Sequence, residues 1–276
     1  MAKRWQLEDV RSLLDVGCGQ CHWTKLISQF LSKGTEVTAV DADSKWANGN
    51  ETTKEFFLKT GLSFDIKQAS VLELPFADNS FDAVTCQTVL IHLENPLDAL
   101  HEMKRVLKPN GILFCAEPNN LINSVIKDSI TSKFEIEEII EWFVFGLIKE
   151  KGKINLGNGD NSVGDLLPKL FSQISLQDIK TYISDKANCI IPPYESDEIK
   201  AMLNHRLKND FEELIKIETQ KQFETFDGKY EEIQQRVEQK IKDYKAELKD
   251  KVNNQTFYDA STALMYLISG RKTKAH

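Results

Sequence analysis

Leu13-Leu14-Asp15-Val16-Gly17-Cys18-Gly19 is the stretch that decides the fold. A short apolar run enters a turn with two glycines, and helical spacing follows from Cys21 to Leu31. Glycine there tolerates unusual backbone dihedrals and lets a ligand approach the main chain. The amides that open the helix then meet that ligand's carboxylate. About twenty residues further on, Val37-Thr38-Ala39-Val40-Asp41 is a second apolar strand ending in an acid. That acid is placed to accept both hydroxyls of a ribose. A glycine turn alone is weak evidence. Turn and acid together indicate a nucleoside-containing cofactor, and both NAD and S-adenosylmethionine fit.

Working outward, strands are expected at Ser12–Val16, Glu36–Val40, Phe64–Gln68, Phe81–Cys86 and Ile112–Ala116. Helical segments at Lys45–Lys59 and Pro96–Leu107 lie between them, stopped by Gly61 and by Pro109-Asn110-Gly111. This alternation is the signature of βαβ units. The expected fold is a doubly wound, Rossmann-like α/β sheet of seven mainly parallel strands, with helical cap insertions. After residue 117 the rhythm breaks. Leu121–Ile148 reads as mostly helical, Ser162–Phe171 as a short helix and Leu176–Ser184 as a sixth strand. Residues 195–255 are charged and helical in period, with Tyr230, Ile233, Val237, Ile241, Tyr244 and Leu248 as one narrow stripe and Gly228 between two long helices. Ser261–Ser269 reads as the last strand. If it pairs with the sixth, the helices are an insertion between neighbouring strands. The expected division is a core of residues 1–184 and 259–276, with 118–160 partly cap, and a helical insertion or cap at 185–258.

The chain has 276 residues, a net charge of −7 and 41% hydrophobic residues, a globular composition. It lacks the basic field of a non-specific nucleic-acid binder, which disfavours nucleic acid as a partner. No apolar run approaches the ~20 residues of a membrane helix, and the first residues carry no secretory core. Five irregularly spaced cysteines do not form a disulfide framework, so the expected compartment is the reducing cytoplasm. Cys18 and Cys21 match C-x-x-C without a second pair or a histidine at metal spacing, and no metal is expected.

Further motifs separate the cofactors. Leu74-Pro75-Phe76-Ala77-Asp78-Asn79-Ser80-Phe81-Asp82-Ala83-Val84 precedes Cys86-Gln87-Thr88-Val89-Leu90-Ile91-His92-Leu93, and Leu107-Lys108-Pro109-Asn110-Gly111 follows. In this order the sequence resembles the class I S-adenosylmethionine-dependent methyltransferases, especially the ubiquinone/menaquinone-biosynthesis group. The resemblance spans roughly residues 12–117, and Gly164–Ile179 more loosely. It implies that Asp15, Gly17, Cys18 and Gly19 hold the methionine part of the cofactor and that Asp41 binds the ribose. It places Ala42, Trp46, Ser70 and Val71 around the adenine, and Gln87 beside the methionine and the reactive methyl. His92 falls at the family's recurrent position just behind that site and is the candidate general base. Two positions depart from the family: Cys21 stands where a third glycine is frequent, and Ser70 where an acid is usual.

Several features have two readings. His92 is equally a packing residue. Glu117 either faces the cleft beyond the strand ends or is a solvated loop acid. Pro192-Pro193-Tyr194 is similar to the Asn/Asp-Pro-Pro-Tyr motif of amino-group nucleic-acid methyltransferases. It follows the sixth strand instead of the fourth, so it reads as a proline loop, with Tyr194 facing a substrate as the alternative. Ile139–Ile148 reads as a helix against the core, or as a lid over an apolar pocket or a homodimer contact through the helical insertion. The arm before the first strand is only about eleven residues, so 118–160 and 185–258 are expected to cover the substrate. The expected reaction is methyl transfer to a small-molecule acceptor, giving S-adenosylhomocysteine. The rivals are an inactive cofactor-binding interaction protein, an RNA or protein methyltransferase, and an NAD-dependent oxidoreductase.

Overall fold

The computed structural model describes residues 1–47, 51–124, 127–185, 187, 189–207, 212–260 and 264–273. Two compact units make up the chain: residues 1–118, 163–184 and 265–276, and residues 119–162 with 185–264.

The first unit is a sheet that has seven strands among the described residues, in the order β3-β2-β1-β4-β5-β7-β6. The strands are β1 (Ser12–Val16), β2 (Glu36–Asp41), β3 (Ser63–Gln68), β4 (Phe81–Gln87), β5 (Leu107–Asn119), β6 (Gln177–Ile183) and β7 (Leu264–Arg271). β1 to β5 pair in parallel, and β7 runs antiparallel to β6. The order places the switch between β1 and β4, where a doubly wound sheet opens a crevice at its carboxyl edge. The expected mainly parallel seven-stranded sheet is the observed one. β6 and β7 are neighbours, so the chain between them is an insertion.

The helices of this unit are α1 (Ala2–Trp5), α2 (His22–Ser28), α3 (Ser44–Ala47), α4 (Glu51–Thr60), α5 (Pro96–Val106) and, later in the chain, α7 (Leu167–Gln173). The expected helix at Lys45–Lys59 corresponds to α3 and α4, and residues 48–50 lie outside the described set. Residues 261–263 of the expected last strand do too. Asn95 caps α5 by accepting the Leu97 amide, and Pro96 fills the first helical turn, where its missing N–H costs nothing.

Strand periodicity sorts the core. Leu14, Val16, Val40, Val84 and Leu113 face one side of the sheet with Leu100, Met103, Leu167 and Phe171. Leu13, Val37, Ala83, Ile112 and Phe114 face the other, with Trp5 and Leu7. The short N-terminal arm is therefore core. The Trp5 ring stacks on Phe114 at 4.4 Å between centroids, and Trp23 lies 6.4 Å from Phe114. Burial of an aromatic pair of this kind is among the larger apolar contributions a small arm can make.

The second unit is helical: α6 (Ile136–Asn155), α8 (Asp197–Leu207), α9 (Glu212–Glu224) and α10 (Glu231–Asn253). The expected continuous helical stretch from Leu121 is broken, with single turns at Leu121–Ser124 and Thr131–Lys133 before α6. A capping box between Glu135 and Glu138 starts α6. Its apolar run does not stand alone: Phe145 and Ile148 pack with Phe223 and with Val237, Ile233 and Ile241 of the α10 stripe. Gly152 lets the backbones of α6 and α9 touch, since a Cβ there would fall 2.3 Å from the Gln222 carbonyl oxygen. Tyr194 does not present its hydroxyl to a substrate. It is buried, and the hydroxyl accepts from the Phe257 amide and donates to the Phe257 carbonyl, both at 3.0 Å. Nearby, Ile190 and Asp259 exchange two backbone hydrogen bonds of 2.8 and 3.0 Å, and Arg206 pairs with the Asp259 carboxylate. Among the described residues no helix is long and apolar enough to cross a membrane.

Candidate active site

The glycine turn is tied to the end of β2. Gly17 and Cys18 both donate to the Val40 carbonyl, at 2.8 and 3.0 Å. The Gly19 amide donates to Asp41 Oδ2 at 2.8 Å, and the Asp43 amide to Oδ1 at 2.9 Å. Each carboxylate oxygen has two lone pairs, so Asp41 keeps acceptor capacity for two hydroxyls. Gly17 and Gly19 take φ of +68° and +48°. A Cβ on Gly17 would meet a Val89 methyl at 2.4 Å, while space above Gly19 is open. Cys21 also takes a left-handed φ of +59°, a conformation that glycine adopts without a steric penalty. A non-glycine residue in that region costs on the order of 1–2 kcal/mol. The neighbouring thiols of Cys18 and Cys21 influence each other, Cys18 being pushed up and Cys21 down.

Asp15 is on the face that holds Leu13. It is buried, Oδ2 accepts from the Thr24 hydroxyl, and Oδ1 has no partner among the described residues. Burial pushes its carboxyl up to about 8. An unpartnered buried carboxylate oxygen beside a ligand turn is a place for a donor to bind.

The loops after β2 and β3 flank this turn. Ala42 is exposed, and its carbonyl accepts from Gln68 Nε2 at 3.0 Å. Trp46 is half-buried, with the Lys45 ammonium 4.5 Å from its ring centroid. Val71 is buried. Ser70 is exposed, and its Oγ accepts from the Leu72 amide at 3.2 Å, leaving the hydroxyl one lone pair and its proton.

Gln87 is the last residue of β4. Beyond it the chain turns at Thr88 (φ +52°) into a single helical turn, Leu90–His92. His92 is exposed at its end, and its amide donates to the Val89 carbonyl at 3.0 Å. The segment is held from below by Glu117, which is fully buried and so is not a solvated loop acid. Its Oε1 accepts from the Val89 and Leu90 amides at 2.9 and 3.0 Å, and Oε2 has no partner among the described residues. Burial pushes its carboxyl up to about 7 against those hydrogen bonds. β5 runs to Asn119, three residues past the expected end, and this places Glu117 inside the sheet. The signal for that was the apolar run into Glu117-Pro118, which already reads as strand.

Gly19 is thus bonded directly to Asp41, Gly17 and Cys18 to the adjoining Val40, and Asp15 to Thr24. Gln87 and His92 flank Val89, whose methyl fills the space beside Gly17.

Other family motif residues hold the scaffold. Arg105 binds the carbonyls of Leu74 and Phe76 and the carboxylates of Asp78 and Glu102, all at 2.8–2.9 Å. Asp82 accepts from the Arg11 and Ser12 amides, the Ser12 hydroxyl and the Lys108 ammonium. Burial pushes the Asp82 carboxyl up, but these donors hold it below its ordinary value.

Comparison with known proteins agrees with this geometry. A methyltransferase-domain family matches residues 14–115. A demethylmenaquinone methyltransferase of Staphylococcus haemolyticus is 32% identical over 169 residues, 60% of this chain and 69% of that protein. One from Staphylococcus aureus is 36% identical over 140 residues, 50% of this chain and 56% of that protein. The aligned part thus spans between about half and two thirds of these relatives' length. Among solved structures, a SAM-dependent methyltransferase from Methanosarcina mazei superposes with a TM-score of 0.52 at 16% identity, covering 99% of this chain and 97% of that one. A candidate sarcosine dimethylglycine methyltransferase from Galdieria sulphuraria gives 0.53 at 17%, covering 98% and 82%. These two share the fold. The sequence relatives share more, and on their evidence the chain belongs to the class I S-adenosylmethionine-dependent methyltransferases.

Proposed function

We propose that the chain transfers the methyl group of S-adenosylmethionine to a small-molecule acceptor. The observation that carries this is the Gly19–Asp41 hydrogen bond, which locks the glycine turn against the acid and leaves that acid with spare acceptor sites. The residues present fit the donor. Asp41 suits its ribose hydroxyls, Asp15 Oδ1 an amino group, and the open face of Gly19 its methionine chain. Ser70, Val71, Ala42 and Trp46 are the proposed adenine border. When bound, the donor supplies an already activated sulfonium methyl, so the protein's task is alignment and exclusion of water.

Gln87 is proposed to border the methionine, and His92 to act as general base for an acceptor whose hydroxyl or enol must lose a proton. Glu117 keeps both in place by gripping the amides between them. Acceptor choice is assigned to the inserted helical unit, because the family match at 14–115 stops before it. The names of the curated relatives make demethylmenaquinone the first acceptor to assay.

The test is thermal unfolding with S-adenosylmethionine, S-adenosylhomocysteine and NAD, on wild type and Asp41→Ala. A ligand at a hundredfold excess over Kd adds about 2.7 kcal/mol of stability. Stabilisation by both adenosyl compounds and not by NAD, lost in Asp41→Ala, is the expected result. No shift with saturating S-adenosylmethionine would sink the reading. In an acceptor assay, His92→Ala is expected to lower kcat by roughly 100-fold or more with donor binding intact.

A further inference from the structure

Two cavities lie within the inserted unit and share Phe145, Lys149 and Ile241. The larger, about 400 Å³, is lined also by Trp142, Glu150 and Asn161. The smaller, about 150 Å³, is lined by Lys216, Lys242, Lys245 and Glu238. We propose that together they form a binding site for a small zwitterion, with its ammonium beside Glu150 and Trp142 and its anionic group beside Lys149 and the lysines beyond.

The argument starts from charges without adequate partners. Glu150 Oε2 is shut away from solvent and has no hydrogen-bond partner among the described residues. Among the described residues its other oxygen receives only a long 3.4 Å bond from Asn161. Burial pushes this carboxyl up, and Asp160 adds to the effect. A buried carboxylate half satisfied in this way is costly unless a cation or donor completes it. The Lys153 ammonium donates to Asn161 Oδ1, and its field and that of Lys149 favour the Glu150 carboxylate.

Lys149, next on the same helix, is the mirror case. Its ammonium sits 5.9 Å from the Phe145 ring centroid and makes no ion pair among the described residues. Burial pushes its pKa down, against the fields of Glu150 and Glu218. A neighbouring pair on a helix diverges by about 100°, so Lys149 and Glu150 address the shared space from different sides. The acids facing the lysine end are Glu218 and Glu238. Glu238 already accepts from Gln234 Nε2 at 2.9 Å. Among the described residues Lys149, Lys216 and Lys242 alone outnumber them, which leaves this end anion-seeking.

The indole of Trp142 adds a surface that attracts an ammonium, and Phe145 and Ile241 give an apolar middle. A ligand with separated opposite charges and a short apolar spacer completes all three regions. A single charge would leave either Glu150 or Lys149 uncompensated.

The experiment is calorimetric titration of the whole chain with 4-aminobutyrate, and with butyrate and butylamine, which keep the skeleton and remove one charge each. Glycine and 6-aminohexanoate vary the charge separation. At least one of these amino acids is expected to bind tenfold or more tightly than butyrate or butylamine. Glu150→Gln should reduce the zwitterion to the affinity of butyrate, and Lys149→Met to that of butylamine. S-adenosylhomocysteine titrated into both variants reports that the rest of the chain is folded, and its affinity should be unchanged. Absence of binding across the amino-acid series, or equal binding of the singly charged analogues, would overturn the proposal.

Discussion

The two edges of the same sheet treat their carboxylates in opposite ways. At the amino edge, Asp82 gathers four donors and is held below its ordinary pKa, and Arg105 satisfies two carbonyls and two carboxylates at once. At the carboxyl end, Asp15 and Glu117 are buried, each keeps one oxygen without a partner among the described residues, and both are pushed up, to about 8 and about 7. They stand on opposite faces of the sheet, Asp15 with Leu13 and Glu117 with Cys115. One edge is built to be stable. The other holds costly groups that only a ligand or a proton completes, as functional sites do. The family motifs span both edges, so membership in a motif does not by itself mark a residue as part of the site.

The sharpest way to break this contrast is Gly17→Ala. The new Cβ would meet Val89 and require φ +68° from a residue that avoids it. S-adenosylhomocysteine affinity should fall about 100-fold, in line with an ångström-scale misplacement of a binding group. Isothermal titration reads this, and affinity within threefold of wild type would show that the turn has more slack than its geometry implies.

An effect of similar size is expected from Glu117→Gln, which keeps the acceptor for Val89 and Leu90. The folded pKa, about 7, lies above the ordinary 4.5. The folded state therefore binds more protons between those values, and wild-type stability falls as pH rises through that window. The Gln variant lacks this fall. Its advantage over wild type should grow from pH 4.5 to 7.5, by up to about 3 kcal/mol, in urea titrations. A constant difference across pH would mean that Glu117 is not titrating there.

The smallest effect expected is Asp82→Ala, and it falls on stability alone. Loss of the shared acceptor should cost about 2 kcal/mol at pH 7. Since the folded pKa is depressed below 3.8, the wild type loses this contribution as pH falls through the folded value, and the gap should narrow below pH 4. S-adenosylhomocysteine affinity should not change. If it weakened as much as in Gly17→Ala, the division between the edges would be false.

Much of the core was legible because strand burial writes itself as short apolar runs. β1 begins and ends where the run Ser12–Val16 does, and Asp41 closes β2 as its position after Val40 indicates. The pairing of β6 with β7 was legible only as a condition, since register between distant strands leaves no local mark. Glu117 was read as ambiguous because the run before it says where a strand is and not how far it stays buried. The proline-loop reading of Pro192-Pro193-Tyr194 left the place of Tyr194 open, because its partner Phe257 is 63 residues away and invisible to spacing. Trp5 and Leu7 were missed as core because a short arm has no periodicity to read.

The bridge between Ile190 and Asp259 has a consequence for how the chain assembles. About 80 residues separate β6 from β7. Closing a flexible loop of that length is slow and entropically unfavourable. With the bridge formed, and Arg206 clamped on Asp259, the insertion's two ends are already neighbours. Only about ten residues then remain to be ordered before the strands meet. By the logarithmic scaling of loop closure this lowers the entropic cost by roughly 2 kcal/mol. The insertion behaves towards its host sheet as a short hairpin loop. Its helices are thereby free to lengthen or diverge between relatives without delaying the closure of the sheet that carries them.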